Sequence, residues 1–145
     1  MGLDMYFNRR EQTEVGYWRK ANAIHRWFVE NVQDGNDDQK EYRVSEEQMK
    51  RLLDAVNKVL TASELVDGQI INGYQITDGK RTPILEKGKV IKDPRIAKLL
   101  LPTSEGFFFG GTAYDQYYYD DLIETKRIIE EALKTPGEYY YSSWW

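Results

Sequence analysis

Apolar and polar side chains alternate at the start of the chain. Leu3, Met5 and Phe7 fall on one side of an extended backbone and Asp4, Tyr6 and Asn8 on the other, which predicts a half-buried strand over residues 3 to 9. After the polar stretch that ends at Gly16 the period changes. Ala21, Ile24, Phe28 and Val32 recur at spacings of three and four, the stripe of a first helix that stops near Asp34-Gly35. Ser45 and Gln48 fit a capping box, and Val44 and Met49 occupy the staple positions beside it. A second helix is therefore expected over residues 46 to 62, with Met49, Leu52, Leu53, Val56, Val59 and Leu60 facing inward.

From Asp67 to Lys92, Gly recurs beside Asp, Asn and Lys between short β-branched runs, which reads as turns joining short strands; residues 63 to 92 are the irregular part of the pattern. Asp93-Pro94 looks like a helix start, with Ile96, Ala97 and Leu100 on the inner face of a short helix ending before Pro102. Phe107, Phe108 and Phe109, bounded by Gly106 and Gly110, suit a buried strand. Thr112 and Asp115 match a cap signature that opens a long helix with Tyr118, Leu122, Thr125, Ile129 and Leu133 on one stripe, stopping before Pro136-Gly137. The ending EYYYSSWW is β-prone and predicts a last strand, with the Phe strand as a candidate partner. These elements define an α+β fold: a small mixed sheet of the N-terminal, Phe107–Phe109 and C-terminal strands, packed by three main helices and a short one. At 145 residues the chain is expected to form a single domain, residues 1 to 145.

Composition narrows the chemistry. With no cysteine and one histidine, thiol nucleophiles, disulfides and His-pair metal sites are excluded, so neither a metal nor another cofactor is expected. A net charge of −4 disfavours non-specific nucleic-acid binding. No apolar run reaches membrane-spanning length and the start lacks the pattern of a signal peptide, so no membrane partner and a cytosolic location are expected. Aromatic residues make up 14% of the chain, clustering near residue 18, residues 107 to 119 and the C-terminus, which marks either core or a binding surface.

Two stretches offer candidate chemistry. On a helix through GYWRKANAIHRWF, Trp18, Asn22, His25 and Val29 stack along one edge of the apolar stripe, with Arg19 and Arg26 on the neighbouring flank. An indole, an amide, an imidazole and guanidinium groups suit a planar, anionic ligand. In GFFFGGTAYDQYYYDD, Gly110 and Gly111 allow close backbone approach, a helix starting after Thr112 would present amides to an anion, and Tyr114 and Tyr118 lie beside it. The alternative for both stretches is structural: Trp18 as core, His25 as a bonded boundary residue, and glycines serving a turn. Asp115, Asp120 and Asp121 suggest acid/base or cation chemistry, against the simpler role of complementing a helix dipole. The sequence shows no catalytic signature and no P-loop.

The opening MGLDMY, the segment VGYWRKANAIHRWF, the stretch LLPTSEGFFFGGTAYDQYY and the ending YYYSSWW resemble a family of small uncharacterised bacteriophage and prophage proteins. The resemblance implies action in the cytoplasm of an infected bacterium and assigns no catalytic residue. It favours counter-defence, by association only. The leading expectation is a non-enzymatic protein that sequesters a small anionic, nucleotide-like ligand. The alternatives are a protein-protein inhibitor of a host defence protein, and an enzyme acting on a phosphorylated small molecule through His25 with Asp115 or Asp120. Homo-oligomerisation through an aromatic terminal strand is open.

Overall fold

The computed structural model describes residues 2–10, 13–106 and 109–145. Among them the order is β1 (Asp4–Arg9), β2 (Thr13–Arg19), α1 (Asn22–Asn31), β3 (Tyr42–Val44), α2 (Glu46–Ala62), β4 (Leu65–Thr77), β5 (Lys80–Ile91), α3 (Arg95–Leu100), α4 (Gln116–Lys134) and β6 (Tyr139–Trp144). The protein is α+β. Its principal sheet runs β2-β1-β6-β3 and is antiparallel throughout rather than mixed, and β4 and β5 form a separate ribbon.

The two ends of the chain make the middle of the sheet, with Asp4 opposite Trp144 and Arg9 opposite Tyr139. The alternation read in β1 sends Met5 and Phe7 inward with Tyr139 and Tyr141 of β6, where the helices cover them. Phe28 of α1 stacks on Tyr141 with ring centroids 3.9 Å apart and 6° between planes, and Phe7 stacks on Tyr139 at 5.4 Å. Burying each such ring contributes roughly 2 to 3 kcal/mol. Met49, Leu52, Val56 and Val59 of α2 and Leu122, Ile128 and Ile129 of α4 complete this core. Gly16 lets α4 approach β2, because a Cβ there would lie 2.5 Å from Ile128 Cγ2.

α2 begins and ends where its punctuation predicts, with Ser45 Oγ accepting from Gln48 N at 3.1 Å and Gln48 Oε1 accepting from Ser45 N at 2.9 Å. α4 begins later than the Thr112 signature suggests, since Asp115 is the cap and its Oδ1 accepts from the amides of Tyr117 and Tyr118. Residues 65–91 hold two long strands joined at Asp78-Gly79, in place of several short ones. The expected Phe strand falls partly on Phe107 and Phe108, which lie outside the described residues; Phe109 belongs to no strand, and β6 pairs with β1 and β3. No helix among the described residues is long and apolar enough to cross a membrane.

The first helix also differs from its expected reach. The stripe of Ala21, Ile24 and Phe28 is helical and buried, yet Trp18 belongs to β2. The break is at Lys20, whose φ of 58° is incompatible with either a strand or a right-handed helix. Thr13, Val15, Tyr17 and Trp18 favour extended backbone, and the antiparallel pairing of Met5 with Trp18 fixes it.

Candidate functional site

A cleft of about 530 Å³ opens where four segments meet: the β2–α1 turn with the start of α1, the Gly110–Ala113 turn, the start of α4, and Ile71, Gly73 and Tyr74 of the ribbon. The two turns touch. Lys20 N donates to Leu3 O at 2.8 Å, and Gly110, with φ of 80°, packs so closely that a Cβ would sit 3.1 Å from Lys20 Cβ. Glycine is needed there for both its left-handed backbone and the lack of a side chain.

Asn22 locks this wall. Its buried Nδ2 donates to Phe109 O at 2.9 Å and Gly111 O at 2.7 Å, while its Oδ1 accepts from Ser104 N at 2.9 Å. One side chain at the head of α1 thus satisfies three backbone groups of a loop some 80 residues away in sequence. Arg26 adds a clamp outside the cleft, with Nη1 donating to Thr103 O at 3.1 Å and Nε to Glu30 at 2.8 Å. Tyr114 Oη accepts from Thr103 N at 3.1 Å, and its ring meets Tyr118 edge-on at 5.0 Å.

Of the residues singled out by sequence, Arg19, Asn22, Gly110, Gly111, Thr112 and Tyr118 line this cleft. Trp18, His25, Arg26 and Tyr114 do not. Trp18 is buried in the core and its Nε1 donates to Thr125 Oγ1 at 2.8 Å. His25 is sealed as well: Nδ1 lies 2.5 Å from Tyr141 Oη and Nε2 lies 3.0 Å from Asp37 Oδ1. A carboxylate only accepts, so Nε2 carries the proton toward Asp37 and Nδ1 accepts from Tyr141. Burial lowers the His25 pKa, against the pull of Asp37, and burial also holds the Tyr141 hydroxyl protonated by raising its pKa well above 10. The expectation that these two rings face a ligand is therefore corrected: both are structural. Tyr118 presents its ring to the cleft but sends its hydroxyl to Leu101 O at 2.7 Å.

The amides expected to greet an anion at the head of the long helix are also occupied, those of Tyr117 and Tyr118 by the Asp115 carboxylate and that of Tyr119 by the Asp115 carbonyl. Anion chemistry in the cleft falls instead to Arg19 and Lys20. Facing them from α4 are Asp120 and Asp121. Burial, with Asp120 and Asp115 nearby, pushes the Asp121 carboxyl up to about 7. Among the described residues, no three His, Asp or Glu side chains gather as a metal site. His25 and the Asp115–Asp120 pair, which an acid/base mechanism would bring together, occupy different places: the acids line the cleft and the imidazole is enclosed behind it.

Lys20, Tyr74 and Tyr117 are cleft residues that the sequence reading did not single out as ligand contacts, and Asp121, read there as an acid/base or cation group, lines the cleft with them. Tyr74 and Tyr117 are 43% and 48% exposed, so they, rather than the buried Trp18, are the aromatic residues a planar ligand can reach. The β-prone run of Val15, Tyr17 and Trp18 was the available signal for placing that indole on a strand rather than on the helix. Nothing local to Tyr74 announces that its ribbon folds back beside α1. No protein-family model, no curated protein and no solved structure matches the chain, so the chemistry of the cleft carries the functional argument.

Proposed function

We propose that the protein is a non-enzymatic binding protein that captures a small anionic, nucleotide-like ligand in this cleft. The observation that carries the reading is the meeting, in one hollow of about 530 Å³, of two cations, a glycine turn and two exposed tyrosine rings. Arg19 and Lys20 suit phosphate, the glycine turn admits close approach of the ligand, and Tyr74 or Tyr117 offers a stacking face for a base. The Asp120 and Asp121 carboxyls add groups that pair with donor edges such as an exocyclic amine. In the phage setting that the sequence resemblance implies, the ligand is a nucleotide signal of host defence, removed from circulation by being held.

A thermal-shift screen of nucleotides, cyclic dinucleotides and ADP-ribose derivatives tests this. A ligand at 100 times its Kd adds about 2.7 kcal/mol, which for a chain of this size raises Tm by roughly 5 to 10 °C. The shift should disappear in Arg19→Ala/Lys20→Ala and shrink in Tyr74→Ala, and mass spectrometry should recover the ligand intact. A silent screen, or a shift indifferent to these substitutions, overturns the reading. Recovery of a chemically altered ligand replaces capture with catalysis.

A further inference from the structure

The β4–β5 ribbon divides into a base and an arm. Ile70 and Ile91 are buried at the base, and Ile91 N donates to Tyr114 O at 3.0 Å. Residues 71–87 are all exposed. A two-stranded ribbon standing in water is marginal unless something covers one face.

The register shows that the faces are unequal. Ile71 pairs with Leu85, Tyr74 with Pro83 and Ile76 with Arg81. Residues opposite one another in an antiparallel pair share a face, and Arg81, Pro83 and Leu85 alternate with a period of two, so all six side chains emerge together. The Arg81 guanidinium lies 3.7 Å above the Tyr74 ring, as this placement requires. The opposite face carries Gln75, Thr77, Lys80 and Thr82, with Ile84 its one apolar side chain over this stretch. Ile76 and Leu85 remain 78% and 54% exposed, and neither lines the cleft, so a ligand held there leaves them bare.

We infer that this arm docks on the body of a second copy of the chain, each arm reaching across a two-fold axis to the other protomer. Charge selects the occupant. The apolar face continues toward the base with Lys87 and Lys89 against Asp67, and with Arg81 it holds three cations and one anion. The ribbon from Leu65 to Ile91 carries four basic and three acidic residues, so a chain of net charge −4 leaves −5 on everything outside the ribbon. Arm against arm brings like charges together; arm against body brings opposite ones, and the two-fold makes that contact twice.

Light scattering coupled to size exclusion, run on the full chain from micromolar to near-millimolar concentrations, decides the matter. The expected mass is twice 17.1 kDa, falling to that of one chain in Ile76→Glu/Leu85→Glu and, with the apolar residues intact, in Arg81→Glu. Far-UV circular dichroism should be unchanged, because these exposed side chains take no part in the core. A single-chain mass at every concentration overturns the inference and leaves the face to a different protein. A dimer that survives both variants also overturns it, by placing the interface elsewhere.

Discussion

The indole of Trp18 donates to Thr125 Oγ1 at 2.8 Å, and the same hydroxyl donates onward to Asp121 O at 2.7 Å. This link ties β2 to the middle of α4 across the core, and it turns a candidate ligand contact into a structural fixture. Thr125→Val keeps the shape and removes the acceptor. It is expected to cost about 1 to 3 kcal/mol, because a buried N–H is left without a partner. Trp18→Phe should cost a similar amount, and Thr125→Val made in that background should cost little more. Urea unfolding of the two single variants and the double checks the coupling; additive losses would show that the bond contributes nothing.

Asn22 is expected to act on binding without touching the ligand's charge. Asn22→Ala strips two donors and one acceptor from the loop that carries Gly110, costing roughly 1 to 3 kcal/mol. It should also abolish ligand-induced stabilisation in the thermal-shift screen, since the glycine turn loses its anchor. An undiminished ligand shift in a folded Asn22→Ala protein would show that the wall organises itself by other means.

Two shielded ionisable groups make stability depend on pH in opposite senses. Burial holds His25 below its ordinary 6.5, so the unfolded chain takes up the proton more readily; the stability this group contributes is present above about 6.5 and is lost as pH falls. Asp121, raised from 3.8 to about 7, contributes stability that is present below its unfolded value and is lost as pH rises through about 7. In the window they share the two slopes offset each other, so the wild-type profile is flatter than either group alone would make it. Asp121→Asn should therefore be more stable than wild type at pH 8.5, and the gain should vanish near pH 4. His25→Gln should lose more stability at pH 7.5 than at pH 5. Equal losses at both values would remove His25 from the linkage.

Gly16→Ala places a methyl group 2.5 Å from Ile128 Cγ2 and is expected to destabilise by about 1 to 3 kcal/mol through overpacking. Ile128→Ala alone should cost roughly 2 to 5 kcal/mol as a cavity. Together they should cost less than the sum, by about 0.5 to 3 kcal/mol, because each relieves the other. Strict additivity in denaturant unfolding would mean that α4 and β2 adjust to the methyl group.

What the sequence discloses is what local physics dictates. The capping box at Ser45 and Gln48, the stripe through Leu122, Thr125 and Ile129, and the alternation of Leu3, Met5 and Phe7 each concern neighbours a few residues apart, and each element lies where those patterns put it. The error at Trp18 arose because a stripe with spacings of three and four extends back past Lys20 on paper, while the left-handed backbone of Lys20 ends the strand before the helix begins. The ribbon was harder to read. Its shifted register between Ile71 and Tyr74 and its exposure to solvent erase the in-out alternation that a covered strand shows. The cleft was legible only by halves. Arg19, Asn22, Gly110 and Gly111 were marked by residue type, but the approach of Ile71 and Tyr74 depends on tertiary packing that no short window contains.

The pairing of β1 with β6 has a consequence for how the molecule is made. A ribosome releases β1 long before β6, so Met5 and Phe7 wait without the neighbour that completes their sheet. Truncation before Tyr139 would remove an internal strand rather than trim a margin, leaving β1 and β3 with no common partner. The strand from Tyr139 to Trp144 is in that sense the keystone of the sheet, bearing on a neighbour at either side.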